Sequence, residues 1–259
     1  MNKLINFMDI LNDDIIAYIL FKSNTKTIGK CLIINKRWKQ IIEVYSWLFD
    51  LDFNTTNIND QSLKYFKNAK SINLRYCPEI TDDGLQYLNR VHTIYLTDNN
   101  KITDFGLEYL KAAHIDLGNC NKITDNGLKY LKGVHTIDLS NCPQITDSGL
   151  EYLKGVHTIN LSNCIQITDS GLEYLKGVHT IELWGWNRIS NSGLKYLKDV
   201  HTIKLICCEQ ITDIRLEYLK GVNTIYLYVC NKITVNGLKY LKNADTIYIV
   251  IVIKLQLLN

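Results

Sequence analysis

The chain has no preponderance of one charge. Its 29 basic and 26 acidic side chains leave +3 over 259 residues, too little to track a phosphate backbone, so nucleic acid is not expected as a partner. Long apolar runs are also missing. The apolar tail at 248–258 is interrupted by Lys254 and spans only eleven residues, short of the roughly 20 that a membrane helix needs. No membrane partner is expected, and the tail reads as a degenerate last strand over an open end or as a truncated repeat. Residues 1–12 carry one lysine and no small-residue cleavage pattern, so no signal peptide is expected. The sequence shows no glycine-rich phosphate loop, triad spacing or basic tract. No cofactor, metal or catalytic residue is assigned, and an enzyme is not expected.

What the chain does have is repetition. The stretch at 133–154, GVHTIDLSNCPQITDSGLEYLK, recurs up and down the sequence. Aligned on the isoleucine before the Thr-Asp pair, the units fall at Ile58, Ile80, Ile102, Ile123, Ile145, Ile167, Ile189, Ile211 and Ile233, with 22 residues per step except one of 21. A Gly-Leu pair repeats in phase, with Arg215-Leu216 as its exception. A period of this size marks a stacked array.

Each unit carries two periodicities. Val134, Ile137 and Leu139 alternate with Thr136, Asp138 and Ser140, a short strand with one buried side. Leu150 and Leu153 then lie three apart, on one helical face. Asp147 or Ser148 is placed to cap that turn, and Ser148 with Glu151 has capping-box spacing. Such a helix is too short to survive alone, so it must be held by stacking. Parallel pairing of the strands, with wider helical turns on the other side, gives the expected fold: α/β, a curved parallel sheet with short helices on its convex face.

The pattern Leu/Val-x-x-Ile-x-Leu-x-x-Cys-x-x-Ile-Thr-Asp resembles the cysteine-containing leucine-rich repeat. The resemblance covers residues 51–259 as about nine units, with a convex segment trimmed below the usual length. Residues 1–50 do not fit it. There Leu11, Ile15, Ile16, Ile19 and Leu20 form an apolar stripe behind Asp13 and Asp14, a helix starting near Asn12. Two more apolar clusters follow, around Cys31 and Leu32 and from Ile41 to Leu48, suggesting three short helices. Phe49 and Leu51 lead into a strand-like cap on the first repeat.

The order of these residues resembles an F-box, the motif that binds the Skp-type adaptor of cullin ubiquitin ligases. Leu11-Asn12-Asp13-Asp14-Ile15 matches its opening, Asn35-Lys36-Arg37-Trp38 its middle and Ser46-Trp47 its close, with Asn12 in place of the family's proline and Ser46 in place of its leucine. The resemblance implies that Leu11, Ile15, Ile19, Leu20, Trp38 and Trp47, together with Leu32, contact the adaptor or build the core. The alternative is that the tryptophans simply cap the array.

Three columns repeat so strictly that they read as scaffold. Cys77, Cys120, Cys142, Cys164, Cys208 and Cys230 share one position with Asn99 and Trp186, as expected of a small inward side chain that satisfies local backbone groups; a reducing compartment, cytoplasmic or nuclear, is preferred to a disulfide framework. A tyrosine column from Tyr65 to Tyr240 is expected to pack along the helical side. His92, His135, His157, His179 and His201 precede the strands, without the mixed ligand set of a metal centre.

Function is expected where the repeat varies, on the outward face of the sheet. The middle column, from Asn73 to Tyr248, contains Tyr95, Asp116, Asp138, Glu182, Lys204 and Tyr226; the next contains Trp184, Ile206 and Tyr228. Asp116 and Asp138 are expected to face solvent side by side, forming with Glu182 an acidic centre that selects a basic segment. The aromatics form an anchor for a protein; cover by the C-terminal tail or plain strand propensity is the competing explanation. The expected target-binding set is therefore Tyr95, Asp116, Asp138, Glu182, Trp184, Lys204, Tyr226 and Tyr228. The reading that results is a substrate receptor of a cullin-type ubiquitin ligase that holds an unidentified target. A stand-alone binding scaffold or decoy is the alternative. The composition, rich in Asn, Ile and Lys, fits an AT-biased genome of a parasite, protist or large virus, and a viral protein would act in the host cell.

Overall fold

A computed structural model describes residues 12–22, 36–48, 50–185 and 188–250. Leu11, Leu32 and Trp186, the side chain of Leu20, the tail at 251–258 and the middle one of the three expected helices lie outside the described residues. The chain divides into two compact units, Met1–Ile115 and Asp116–Asn259.

In the first unit, α1 (Asp13–Lys22) is followed by α2 (Lys36–Tyr45) and a 3-10 turn, Ser46–Leu48. Asn12 caps α1, its Oδ1 accepting from the Ile15 amide at 2.9 Å. Arg37 pairs with Asp13 at 2.7 Å and the Tyr45 hydroxyl donates to Asp14 at 2.5 Å, so both ends of α2 hold the start of α1. Ile16, Ala17, Trp38, Ile41 and Ile42 are buried. The helices are tied to the opening repeat, because Asn68 Nδ2 donates to the Glu43 carbonyl at 3.2 Å and Lys67 pairs with the Glu43 carboxylate. Strands β1 (Asp50–Asp52), β2 (Ser71–Asn73) and β3 (Thr93–Tyr95) pair in parallel, with Leu51, Ile72 and Ile94 aligned. β4, His114–Asp116, lies where the two units meet in sequence.

The second unit continues with β5 (Thr136–Asp138), β6 (Thr158–Asn160), β7 (Thr180–Trp184), β8 (Thr202–Ile206), β9 (Thr224–Tyr228) and β10 (Thr246–Val250). These are parallel, and Ile137, Ile159, Ile181, Ile203, Ile225 and Ile247 share one register. Ile137 and Leu139 are buried along with Cys142, Ile145, Leu150 and Leu153, each aliphatic contributing roughly 1.5–3 kcal/mol. Among the described residues the strands number ten: one for each of the nine expected units plus β1, which is the expected cap.

Strand length follows the middle column. Where that residue is Asp or Asn, its side chain takes the backbone N–H two residues on, as Asp138 does from Ser140 at 2.7 Å and Asn160 from Ser162 at 3.0 Å. The local bond competes with the ladder and the strand stops after three residues. From β7 onward Glu182, Lys204, Tyr226 and Tyr248 cannot make that bond, and the strands run to five residues. Tyr95 is the exception: β3 stays short although it has no Asx bond.

The helical segment is one α turn, Asp147–Leu150, tightened into a 3-10 turn, Glu151–Leu153, the trimming that 22 residues impose. The expected caps are corrected here. Thr146 is the N-cap, accepting from Ser148 N at 3.2 Å, because the extended backbone falls at Thr146 and already places Asp147 inside the helix. Asp147 is thereby free to reach the next repeat, where its carboxylate accepts the Thr168 amide at 2.8 Å and the Thr168 hydroxyl at 2.5 Å.

The cysteine column behaves as expected. Each of its thiols is free and buried. Cys142 donates to the Leu117 carbonyl at 3.2 Å and Cys164 to that of Leu139 at 3.0 Å, one repeat back. Asn99 does the same for Leu74 at 2.7 Å. On the helical side Lys132, Lys154 and Lys176 each stand over the tyrosine of the following repeat at 5.0–5.5 Å.

Candidate binding face

The sheet's solvent face in the second unit is built by the register. Because Glu182 aligns with Lys204, and Trp184 with Ile206, side chains from sequence positions 22 apart become neighbours. The same alignment continues through Tyr226 and Tyr228 to Tyr248 and Val250.

The expected acidic centre is not an open pair of carboxylates. Asp116 is buried, 8% exposed, with Oδ1 accepting from Gly118 N at 3.0 Å. The strand-ending Asx bond folds the side chain back onto its own backbone, and the expectation that it faces solvent beside Asp138 is thereby corrected. Asp138 is half-buried, receiving Ser140 N and, at 2.9 Å, Asn160 Nδ2. Glu182 pairs with Lys204, each side chain about one-third exposed.

From there the face becomes aromatic. The Lys204 ammonium lies 5.6 Å from the Tyr226 ring centre. Tyr226 stacks on Tyr248 at 4.4 Å and lies 6.2 Å from Tyr228. Trp184 is 49% exposed. Of the expected residues, Glu182, Trp184, Lys204, Tyr226 and Tyr228 therefore form one patch. Tyr95 belongs to the first unit, where the Arg75 guanidinium covers its ring at 4.4 Å.

Between Trp184 and the small side chains before it in its column lies a hollow of about 210 Å³, lined by Ser140, Asn141, Asn160, Ser162, Glu182, Leu183, Trp184, Lys204 and Ile206. Asn160, Ser162 and Ile206 lie in the two variable columns but outside the expected target-binding set. The available signal is the step from Ser140 and Ser162 to Trp184 along one column.

The histidines form a ladder. His135, His157, His179 and His201 stack at 4.3–4.5 Å with interplanar angles of 13–14°, each Nδ1 within 3.1–3.2 Å of the adjacent threonine hydroxyl. Burial first, then the neighbouring His157 and His201, hold the His179 imidazole below its usual pKa. Parallel rings set their nitrogens side by side rather than converging, and among the described residues no cluster of three or more His, Cys, Asp or Glu could hold a metal ion.

On the N-terminal helices, Ile15, Tyr18, Ile19, Val44, Trp47 and Leu48 are exposed, Trp47 to 57%. Trp38, offered by the resemblance as contact or core, is core. Among the described residues no helix is long and apolar enough to cross a membrane.

The Leucine Rich repeat family matches residues 70–88, 114–132 and 134–154, and the chain carries leucine-rich repeats. No curated relative matches it in sequence. Its fold is similar to that of an internalin, InlF, from Listeria monocytogenes, at 19% identity and a TM-score of 0.61 over 88% of this chain and 74% of that one. Internalin C2 from the same organism aligns at 20% identity and a TM-score of 0.54, over 90% and 96%. A chain of the Drosophila Toll–Spatzle complex aligns at 15% identity and a TM-score of 0.53, over 75% of this chain and 31% of that one. At such identities the likeness is one of fold.

Proposed function

We propose that the protein is a non-enzymatic binding scaffold that captures a protein target on the sheet face of its second unit. The observation that carries this reading is the row of aromatic side chains at the solvent face, Trp184 and Tyr248 exposed and Tyr226 and Tyr228 half-buried, with Tyr226 stacked on Tyr248, set on strands that hold them in register. Rigid exposed aromatics contribute large contact area at little entropic cost, and holding a target needs no chemistry from this chain.

The finer reading is a substrate receptor of a cullin-type ubiquitin ligase, acting in a reducing compartment, cytoplasmic or nuclear. Its support is the F-box-like order of residues together with the exposed Ile15, Ile19 and Trp47 on the N-terminal helices, which offer an apolar strip to a Skp-type adaptor. Affinity capture with a purified Skp-type adaptor tests it. Wild type should retain the adaptor and the Ile15→Asp plus Ile19→Asp variant should lose it; equal recovery from both rejects the ligase role. The alternative, a helical cap on a stand-alone scaffold, is favoured by the bonds that Glu43 makes to Lys67 and Asn68 of the opening repeat.

A further inference from the structure

We propose that the hollow beside Trp184 is an arginine-accepting subsite, in which the guanidinium of a partner protein stacks on the indole and pairs with Glu182. This rests on the reading of the sheet face as the binding surface and names the chemistry that the face selects.

The argument is one of donors and acceptors. Several donors around the hollow are spent inward. The Ser162 hydroxyl is given to Asn160 Oδ1 at 2.6 Å, the Asn160 amide to Asp138 at 2.9 Å and the Asn163 amide to Asn141 Oδ1 at 2.8 Å. The backbone N–H groups of Ser140 and Ser162 go to Asp138 and Asn160. The charged acceptor of the lining is the Glu182 carboxylate, one-third exposed, with Asn141 Oδ1 and the buried Ser162 Oγ beside it; the cationic donor of the lining, the Lys204 ammonium, is given to Glu182. An anionic ligand would be repelled by the Glu182 carboxylate and would have to take Lys204 away from it. Guanidinium is planar, cationic and carries five donors and no acceptor, and its flat face stacks on aromatic rings.

Lys204 does not block this occupant. It holds Glu182 through one point contact and already lies 5.6 Å from the Tyr226 ring, which keeps a cation–π partner for it when a bidentate guanidinium takes the carboxylate. Of the charged groups of the middle column nearest the hollow, Asp138, Glu182 and Lys204 sum to −1, so an added cation is favoured.

The test is an NMR titration of the ¹⁵N-labelled full chain, following the indole N–H of Trp184, assigned with Trp184→Phe. The probes are N-acetyl-arginine methylamide and its lysine and citrulline counterparts. Arginine is expected to shift the Trp184 signal saturably and about tenfold more tightly than either counterpart, and Glu182→Gln to remove that preference while other signals stay in place. An unmoved indole, or equal affinity for lysine, overturns the proposal. If Trp184→Ala and Tyr228→Ala abolish target capture while arginine leaves the indole unmoved, the binding face stands and the subsite falls; if neither responds, both fall.

Discussion

Asp125 occupies the space that a methyl group on Gly149 would fill. Its Oδ1 lies 2.3 Å from the position a Cβ would take there, and the two carboxylate oxygens accept the amide and hydroxyl of Thr146 at 2.8 and 2.6 Å. One repeat on, Asp147, Thr168 and Gly171 repeat the arrangement. The glycine of the Gly-Leu pair is thus required by the aspartate of the preceding repeat. The exception agrees. Where Arg215 replaces glycine, Asn191 stands in the aspartate's place, the turn becomes a continuous 3-10 segment, Asp213–Leu219, and Thr212 makes no side-chain cap.

Gly149→Ala is therefore expected to destabilise the protein by about 1–3 kcal/mol, the usual range for overpacking. In an Asp125→Ala background the same substitution should cost much less. Urea denaturation of the two single variants and the double variant checks the coupling; strictly additive losses would contradict it.

Each repeat has a left-handed residue just before the cysteine position. Asn141 and Asn163 fill it at φ 56° and 58°, but Val229 is held there at 55°. A β-branched side chain in this region is strained, by roughly 1–3 kcal/mol. Val229→Asn should raise the urea midpoint, and an unchanged or lower midpoint would contradict the assignment of strain.

The histidine ladder predicts a pH dependence. The folded state holds the His179 pKa below its unfolded value near 6.5, so between those two values the unfolded chain binds more protons. Stability then falls as pH drops below about 6.5 and levels off below the folded pKa. NMR titration of the imidazole signals should show His179 titrating below 6.5 and moving up in the His157→Gln plus His201→Gln variant. No movement would contradict the charge coupling.

Repeat register, strand positions and the inward cysteines were all legible in the sequence, because a 22-residue period fixes which side chains become neighbours, as with Ile137 and Ile159. The fate of Asp116 was not legible, since an Asx bond to Gly118 is a choice between backbone and solvent that alternation alone does not reveal. The cap moved from Asp147 to Thr146 for a related reason: the aspartate's partner, Thr168, is 21 residues away. The patch around Trp184 was visible in outline; the hollow beside it depends on the side-chain bonds of Asn160 and Ser162.

Burial pushes the Cys164 thiol up to about 12, and its sulfur is bonded to the Leu139 carbonyl. At pH 8 it should resist iodoacetamide until the protein unfolds, whereas half-exposed Cys207 should react in the native state. Mass spectrometry of the labelled peptides decides this, and native labelling of Cys164 at the rate of Cys207 would contradict the packing.

The central claim is that the aromatic sheet face, and not the helical side, meets the protein target. A photo-crosslinking amino acid placed at Tyr228, and separately at Tyr152 on the helical side, compares the two surfaces in one cell extract. The account predicts a discrete protein adduct at 228 that disappears with Trp184→Ala and is absent at 152; adducts at 152 alone, or equal yields insensitive to Trp184→Ala, would contradict it.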